Sequence, residues 1–259
     1  MSNNKTVVKT DSKAKKANTN KPKVEKKDSS ECELINNVFQ IAIDGPSASG
    51  KGTNARLLAR KFGFVCIDTG ALYRGVTMHF MEKNVDIEDD AQVEKALKSM
   101  KMGFEFVDGD THVFLGDKDV TERLHDVDVC AQVYYVAQLQ KVRERVRKIQ
   151  HETAAKGPTV IEGRDITSVV FPDALFKFYI TATLKERARR RYMQEVKKGN
   201  ATVTLSQIRN MIYGRDKADL EREHSPMVKV KDAFVIDCTR RSPDQVVRMM
   251  EKIITKTLA

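Results

Sequence analysis

Glycine recurs at positions 45, 50 and 52 in the run Gly45-Pro46-Ser47-Ala48-Ser49-Gly50-Lys51-Gly52-Thr53, with one lysine set between the last two. Glycines let a backbone approach phosphate oxygens and turn its N–H groups toward them, and a lysine there reaches the β and γ oxygens. The run follows the apolar stretch FQIAID and precedes a helical pattern over 51–62, so a helix N-terminus adds its positive end to the same place. A plain strand-to-helix turn does not explain a lysine flanked by glycines. The hydroxyl that would assist Mg²⁺ is displaced by one residue, because Gly52 follows Lys51 and Thr53 comes next.

A second group of residues suits an anionic acceptor. Asp68-Thr69-Gly70-Ala71-Leu72-Tyr73-Arg74 stands at the end of a second strand-like segment. Later come Glu162-Gly163-Arg164-Asp165, then VVFPDA, the arginine-dense ERARRR, and Arg215-Asp216 with Asp219, Arg222 and Pro226. Guanidinium groups bind phosphate oxygens bidentately, so repeated arginines near strand ends point to a second phosphate-bearing ligand.

The elements that must position these residues are short apolar runs alternating with helical stretches. Strand-like segments appear at 39–44, 64–67, 159–163, 175–180 and 233–237. Near-continuous apolar strands separated by helices predict an α/β fold with a five-stranded parallel sheet flanked by helices, ligands lying at the carboxyl ends of the strands. Residues 102–120 depart from that rhythm. Alternating runs on either side of Asp108-Gly109 predict a small antiparallel hairpin at the sheet's edge. Residues 127–155 read as one long helix, and 184–198 and 204–222 as two more.

Composition bounds the rest. The chain has 259 residues, 41% hydrophobic and 32% charged, enough apolar material for a core. Four scattered cysteines without a C-x-x-C pair suggest neither a zinc site nor a disulfide framework. Residues 1–37 hold nine lysines against five acidic residues and few large apolar ones, which predicts a disordered Lys-rich tail ahead of a catalytic domain at 38–259. The tail lacks the apolar core of a secretory signal and the arginines of a transit peptide, so a cytoplasmic setting is expected. No apolar run approaches the ~20 residues of a membrane span. GTPases would need an N-K-x-D element, and protein kinases H-R-D and D-F-G; this sequence has none of them.

DTGALYR, GRD and RDxxDxxR together resemble the bacterial-type cytidylate kinases, which phosphorylate CMP and dCMP from ATP; the resemblance covers residues 39–258. It implies a nucleoside-monophosphate-binding insert at about 70–155 that includes the hairpin, and a short lid at about 187–200. It implies that the whole run Gly45 to Thr53 binds ATP, with Lys51 on the transferred phosphoryl group and Thr53 near Mg²⁺. Thr69, Arg74, Arg164 and Arg222 match its acceptor-phosphate positions, and Arg215 and Asp219 its sugar contacts. The same resemblance implies that Asp165 would accept from the cytosine amine and Arg143 donate to the ring acceptors. Arg187, Arg190 and Arg191 are the lid candidates for the transferring phosphoryl group. The expected reaction is in-line transfer without a general base, since the acceptor phosphate is already ionised, with a mobile acceptor sub-domain and lid excluding water. Glu162 or Asp44 would orient a metal-bound water. Partners are CMP and dCMP, with no membrane, no specific nucleic acid, and a monomeric state expected.

Departures stand beside the likeness. Tyr134 occupies a position where the family usually has a small hydroxyl residue. The family's GRDIGT reads GRDITS here, through Thr167 and Ser168, and its last Pro-Leu has become Pro226-Met227. A kinase for another monophosphate, such as UMP, and a basic nucleic-acid-binding protein that uses ATP only structurally are the competing readings.

Overall fold

The computed structural model describes residues 6–8, 39–107, 110–199 and 203–258. In chain order the elements are β1 (Thr6–Val8), β2 (Gln40–Asp44), α1 (Lys51–Phe62), β3 (Val65–Asp68), α2 (Thr69–Glu82), α3 (Asp90–Ser99), β4 (Met102–Val107), β5 (Asp110–Leu115) and β6 (Lys118–Asp119). A 3₁₀ turn at Glu122–His125 leads to α4 (Val127–Val136), α5 (Gln140–Ala154) and β7 (Thr159–Gly163). A π-helical turn at Ile166–Val170 precedes β8 (Phe176–Thr181), α6 (Leu184–Lys197), α7 (Leu205–Glu221), β9 (Phe234–Asp237) and α8 (Pro243–Leu258). The chain divides into two compact units, one of Gln40–Gly70 with Thr159–Ala259, the other of Met1–Phe39 with Ala71–Pro158.

The first of these units is built on a five-stranded sheet in the order β3-β7-β2-β8-β9, every pairing parallel. Ile41, Ala42 and Ile43 of the central β2 are wholly buried, as are Val160 and Ile161 of β7. Such strands are covered by helices on both faces, which is why they read as continuous apolar runs. Strand β8 instead alternates, burying Phe176, Phe178 and Ile180; each buried phenylalanine contributes about 1.5–3 kcal/mol relative to exposure. Chain order departs from β2 in both directions, so the carboxyl end of β2, at Asp44, is a topological switch point where ligands gather. Helix α1 starts right after that point and ends at Gly63, whose φ of 70° lets its N–H return to Ala59 and Arg60 carbonyls.

The other unit carries a smaller antiparallel sheet in the order β1-β4-β5-β6. The expected hairpin is present as β4 and β5, paired from Met102↔Leu115 to Val107↔Asp110, while Asp108-Gly109 lie outside the described residues. Two expectations need correction. The single helix over 127–155 is two helices, because Leu139 is extended (φ −65°, ψ 122°) and the carbonyl freed at Ala137 accepts from Arg143 Nη1 at 3.0 Å. Within the segment read as a disordered tail, Thr6–Val8 forms a strand on β4, in register Thr6↔Phe106, Val7↔Glu105 and Val8↔Phe104. Three consecutive residues of high β propensity have met a strand edge that needs backbone partners. The rest of that segment lies outside the described residues. Helices α3 and α8 were not anticipated from the sequence. Among the described residues no helix is long and apolar enough to cross a membrane.

Candidate active site

The loop between β2 and α1 has a backbone that glycine permits. Gly45 has φ 153°, and a Cβ there would lie 2.0 Å from the Ile180 carbonyl oxygen. Ala48 and Gly50, at φ 56° and 96°, curl the chain into the left-handed turns from which backbone N–H groups form an anion-binding nest. Lys51 folds back over this loop, donating to the Pro46 carbonyl at 3.1 Å and standing 4.0 Å from Glu162 Oε2. Burial, then the nearby Arg164 charge, push its ammonium down to about 8, against the pull of Glu162, Asp219 and Asp68. A Cβ on Gly52 would stand 3.1 Å from Glu162 Oε1, so the glycine after the lysine leaves room for that carboxylate at the mouth of the loop.

Ser47 is gripped from both sides. Its N–H donates to Asp216 Oδ1 at 2.8 Å, and its carbonyl accepts from Arg187 Nη1 at 2.9 Å. Arg187 and Asp216 also bond to each other, and Arg187 Nε donates to the Ala182 carbonyl. Arg187, expected in the lid, instead has its guanidinium buried and engaged on the loop's framework. Arg190 donates to the carbonyls of Ser49 and Cys238 and to Glu186, which also takes a bidentate pair from Arg189. These arginines hold the Glu186 carboxyl down to about 2 despite the opposing effect of burial. Arg191 pairs with Glu195 at 3.0 Å. The stretch expected as a lid continues helix α6 to Lys197, followed by Gly199 at φ 79°; Asn200 lies outside the described residues. An open cleft of about 690 Å³ runs from Gly50, Lys51 and Thr53 past Glu162 and Arg190 to Arg241.

Asp44, one of two carboxylates expected to orient a metal-bound water, is engaged elsewhere. It accepts from the N–H groups of Ile166 and Thr167 at 3.0 and 2.7 Å and from Thr167 Oγ1 at 2.6 Å. Burial raises its carboxyl in spite of those bonds. The threonine of GRDITS thus has a structural task, pinning the π-helical turn to β2. Gly163 makes the adjoining approach possible, since a Cβ there would come within 2.7 Å of Thr69 Oγ1.

Three arginines gather around one acid. Asp219 Oδ2 accepts from Arg164 Nε at 2.9 Å and Arg215 Nε at 3.3 Å, and its Oδ1 lies 3.7 Å from Arg222 Nη1. Burial alone would raise the Asp219 carboxyl; the Arg164, Arg215 and Arg222 charges outweigh it and hold the group below its ordinary range. Arg222 also reaches Asp165 Oδ1 at 3.5 Å and donates to the Ser225 carbonyl. Sequence reasoning missed Asp216 as the loop's anchor. The signal was present: Ile208, Ile212, Asp216 and Asp219 share the buried face of α7, so its apolar stripe ends in two carboxylates.

Arg74 on α2 and Arg143 on α5 belong to the other unit. Arg143 is no solvated face residue: it is 7% exposed, with its guanidinium 5.5 Å over the Tyr73 ring in cation–π geometry. Tyr134 is half-buried and meets Tyr135 edge-on at 5.3 Å.

With this geometry in hand, the sequence comparisons decide the family. The family model described as cytidylate kinase matches residues 41–256. The chain belongs to the cytidylate kinase family. A cytidylate kinase of Lactiplantibacillus plantarum is 41% identical over 223 residues, covering 86% of this chain and 97% of that protein. Those of Bacillus cytotoxicus and Limosilactobacillus reuteri are also 41% identical, over 85% of this chain and 97% and 96% of theirs. The cytidylate kinase match begins one residue into β2 and ends within α8, so it takes in both units except the N-terminal segment that carries β1.

Proposed function

We propose that this chain transfers the γ-phosphoryl group of ATP to CMP or dCMP, giving ADP and CDP or dCDP. One observation carries the reading: the glycine loop, with Ala48 and Gly50 in left-handed turns and Lys51 folded over it, stands at the carboxyl end of β2, in the same unit as the Arg164, Arg215 and Arg222 cluster. An anion-binding loop beside a separate group of three guanidiniums suits two phosphate-bearing ligands. Family membership and the relatives' names supply their identities.

In this reading the residues Gly45 to Thr53 hold the ATP phosphates, and Lys51 neutralises the γ-phosphoryl oxygens. Arg187 and Asp216 keep the loop in shape, so Arg187 is a positioning residue, and Arg190, which lines the cleft, and Arg191 are the side chains that would exchange their contacts with Glu186 and Glu195 for the transferring group. Thr69, Arg164 and Arg222 take the acceptor phosphate, joined by Arg74; Arg215 and Asp219 reach the sugar. No base is needed, because the attacking oxygen is already ionised; alignment and charge compensation supply the rate. The Thr53 hydroxyl and the Glu162 carboxylate line the same cleft and would offer hard oxygen donors of the kind Mg²⁺ takes. When bound, the ion neutralises charge on the β and γ oxygens. Arg143 and Asp165 read the base: cytosine offers its amine to Asp165, whereas uracil sets a carbonyl against the carboxylate. An unsatisfied buried pair of that kind costs about 1–3 kcal/mol. The same reading makes the enzyme cytoplasmic and monomeric.

The test is a coupled assay at fixed MgATP with CMP, dCMP, UMP and AMP as acceptors. CMP and dCMP should be turned over well ahead of UMP, and Asp165→Asn should narrow that gap with the fold intact by circular dichroism. Equal use of UMP and CMP by the natural chain would remove the role of Asp165. Absence of any phosphoryl transfer would refute the kinase reading.

A further inference from the structure

The strand Thr6–Val8 lies outside the cytidylate kinase match, yet it is built into the unit that carries Arg74 and Arg143. Without it, β4 would be the edge of a small sheet whose far strand, β6, has only two residues. An edge strand exposes a row of unpaired N–H and C=O groups, and a sheet of three short strands is only just large enough to be stable. Pairing with Thr6–Val8 makes β4 an interior strand over Phe104–Phe106.

What rests on β4 gives that pairing a consequence. Met102 and Phe104 are buried, and α2 approaches this sheet closely at Gly75, where a Cβ would meet Met102 Sδ at 3.0 Å and Val113 Cγ1 at 3.2 Å. Gly75 is the neighbour of Arg74. The placement of Arg74 along α2 is therefore set by contact with the two strands, β4 and β5, that β1 reinforces.

We infer that Thr6–Val8 is an intramolecular brace: by closing the free edge of β4 it holds α2, and with it Arg74, in position for the acceptor phosphate. This inference rests on the functional reading above for the role of Arg74, but the bracing itself does not. The N-terminal segment is then a positioning element for acceptor binding, supplied by residues that the family's catalytic domain does not include.

The experiment compares the full chain with a variant lacking residues 1–9 and with Val7→Pro, whose proline cannot donate to a ladder. Amide hydrogen exchange is read over residues 103–107, and steady-state KM for CMP and for ATP in parallel. Both variants should lose protection in that segment by at least about tenfold, as expected when a local opening becomes easier. KM for CMP should rise by roughly threefold to tenfold while KM for ATP stays put, the size of effect remote packing changes produce. A synthetic peptide of residues 1–12 should restore both in the truncated protein. Unchanged exchange at 103–107 would overturn the brace, and so would KM values for CMP and ATP that rise together. Protection in the full chain that is lost on dilution would overturn the assignment within one chain in favour of a second copy. If no form transfers phosphate to CMP, the kinase reading fails, and the exchange data still decide whether the strand braces the sheet.

Discussion

The Asp216 carboxylate accepts a hydrogen bond from the Ser47 N–H at 2.8 Å, tying the middle of the phosphate loop to a helix 169 residues away in sequence. Arg187 completes the link by bonding both to Asp216 and to the Ser47 carbonyl. The loop is therefore held in shape by a buried ion pair behind it, not by its own backbone alone.

That ion pair should show the asymmetry of buried charges. Arg187→Met leaves Asp216 buried without its partner and is expected to cost about 3–5 kcal/mol, while Arg187→Met with Asp216→Leu costs less than the sum of the two single changes. Urea unfolding followed by circular dichroism measures the three variants. Strict additivity would show that the pair is not coupled.

The glycines of the loop should separate by what stands opposite them. Gly45→Ala drives a Cβ into the backbone carbonyl of Ile180, which cannot step aside, and should cost more than about 4 kcal/mol. Gly52→Ala meets the end of the Glu162 side chain, which can swing away. That variant should fold normally, yet lose about tenfold to a hundredfold in kcat through displacement of the carboxylate. Thermal unfolding and MgATP kinetics on the two proteins make the comparison.

Burial and the neighbouring Arg164 charge push the Lys51 ammonium down to about 8. ATP binding needs its charge, so kcat/KM for ATP should hold steady below pH 8 and fall by about tenfold per unit above it. Lys51→Arg, charged throughout, should lose this alkaline limb even at reduced activity. Stability moves the other way: the unfolded lysine keeps its proton up to 10.5, so the native state gains as pH rises from about 8 toward 10.5. A pH–rate profile without a limb near 8 would contradict the assigned environment.

Asp219 has a depressed carboxyl, set by its three arginines against the effect of burial. Its contribution to stability is complete above the ordinary carboxylate value of about 3.9 and is lost as pH falls through the lower folded-state value. Asp219→Asn should therefore flatten the acid end of the stability curve and destabilise the protein at pH 7, because Arg164, Arg215 and Arg222 then repel one another. Chemical unfolding at pH 3, 4, 5 and 7 reads both effects.

Much of this protein was written in local pattern. The run from Gly45 to Thr53, the apolar strands and the hairpin of β4 and β5 follow from residue type and spacing, because close backbone approach, strand burial and pleat alternation are decided within a few neighbours. Tertiary structure decided what depends on partners distant in the chain. It showed Arg187 turned inward to Ser47, Asp44 engaged by Thr167, and Arg143 buried over Tyr73, three polar side chains whose fate no local pattern specifies. It also broke the helix at Leu139 and gave Thr6–Val8 a strand partner. Hydrogen-bonding groups taken from water must find partners, and which partner each finds is fixed only when the whole chain has folded.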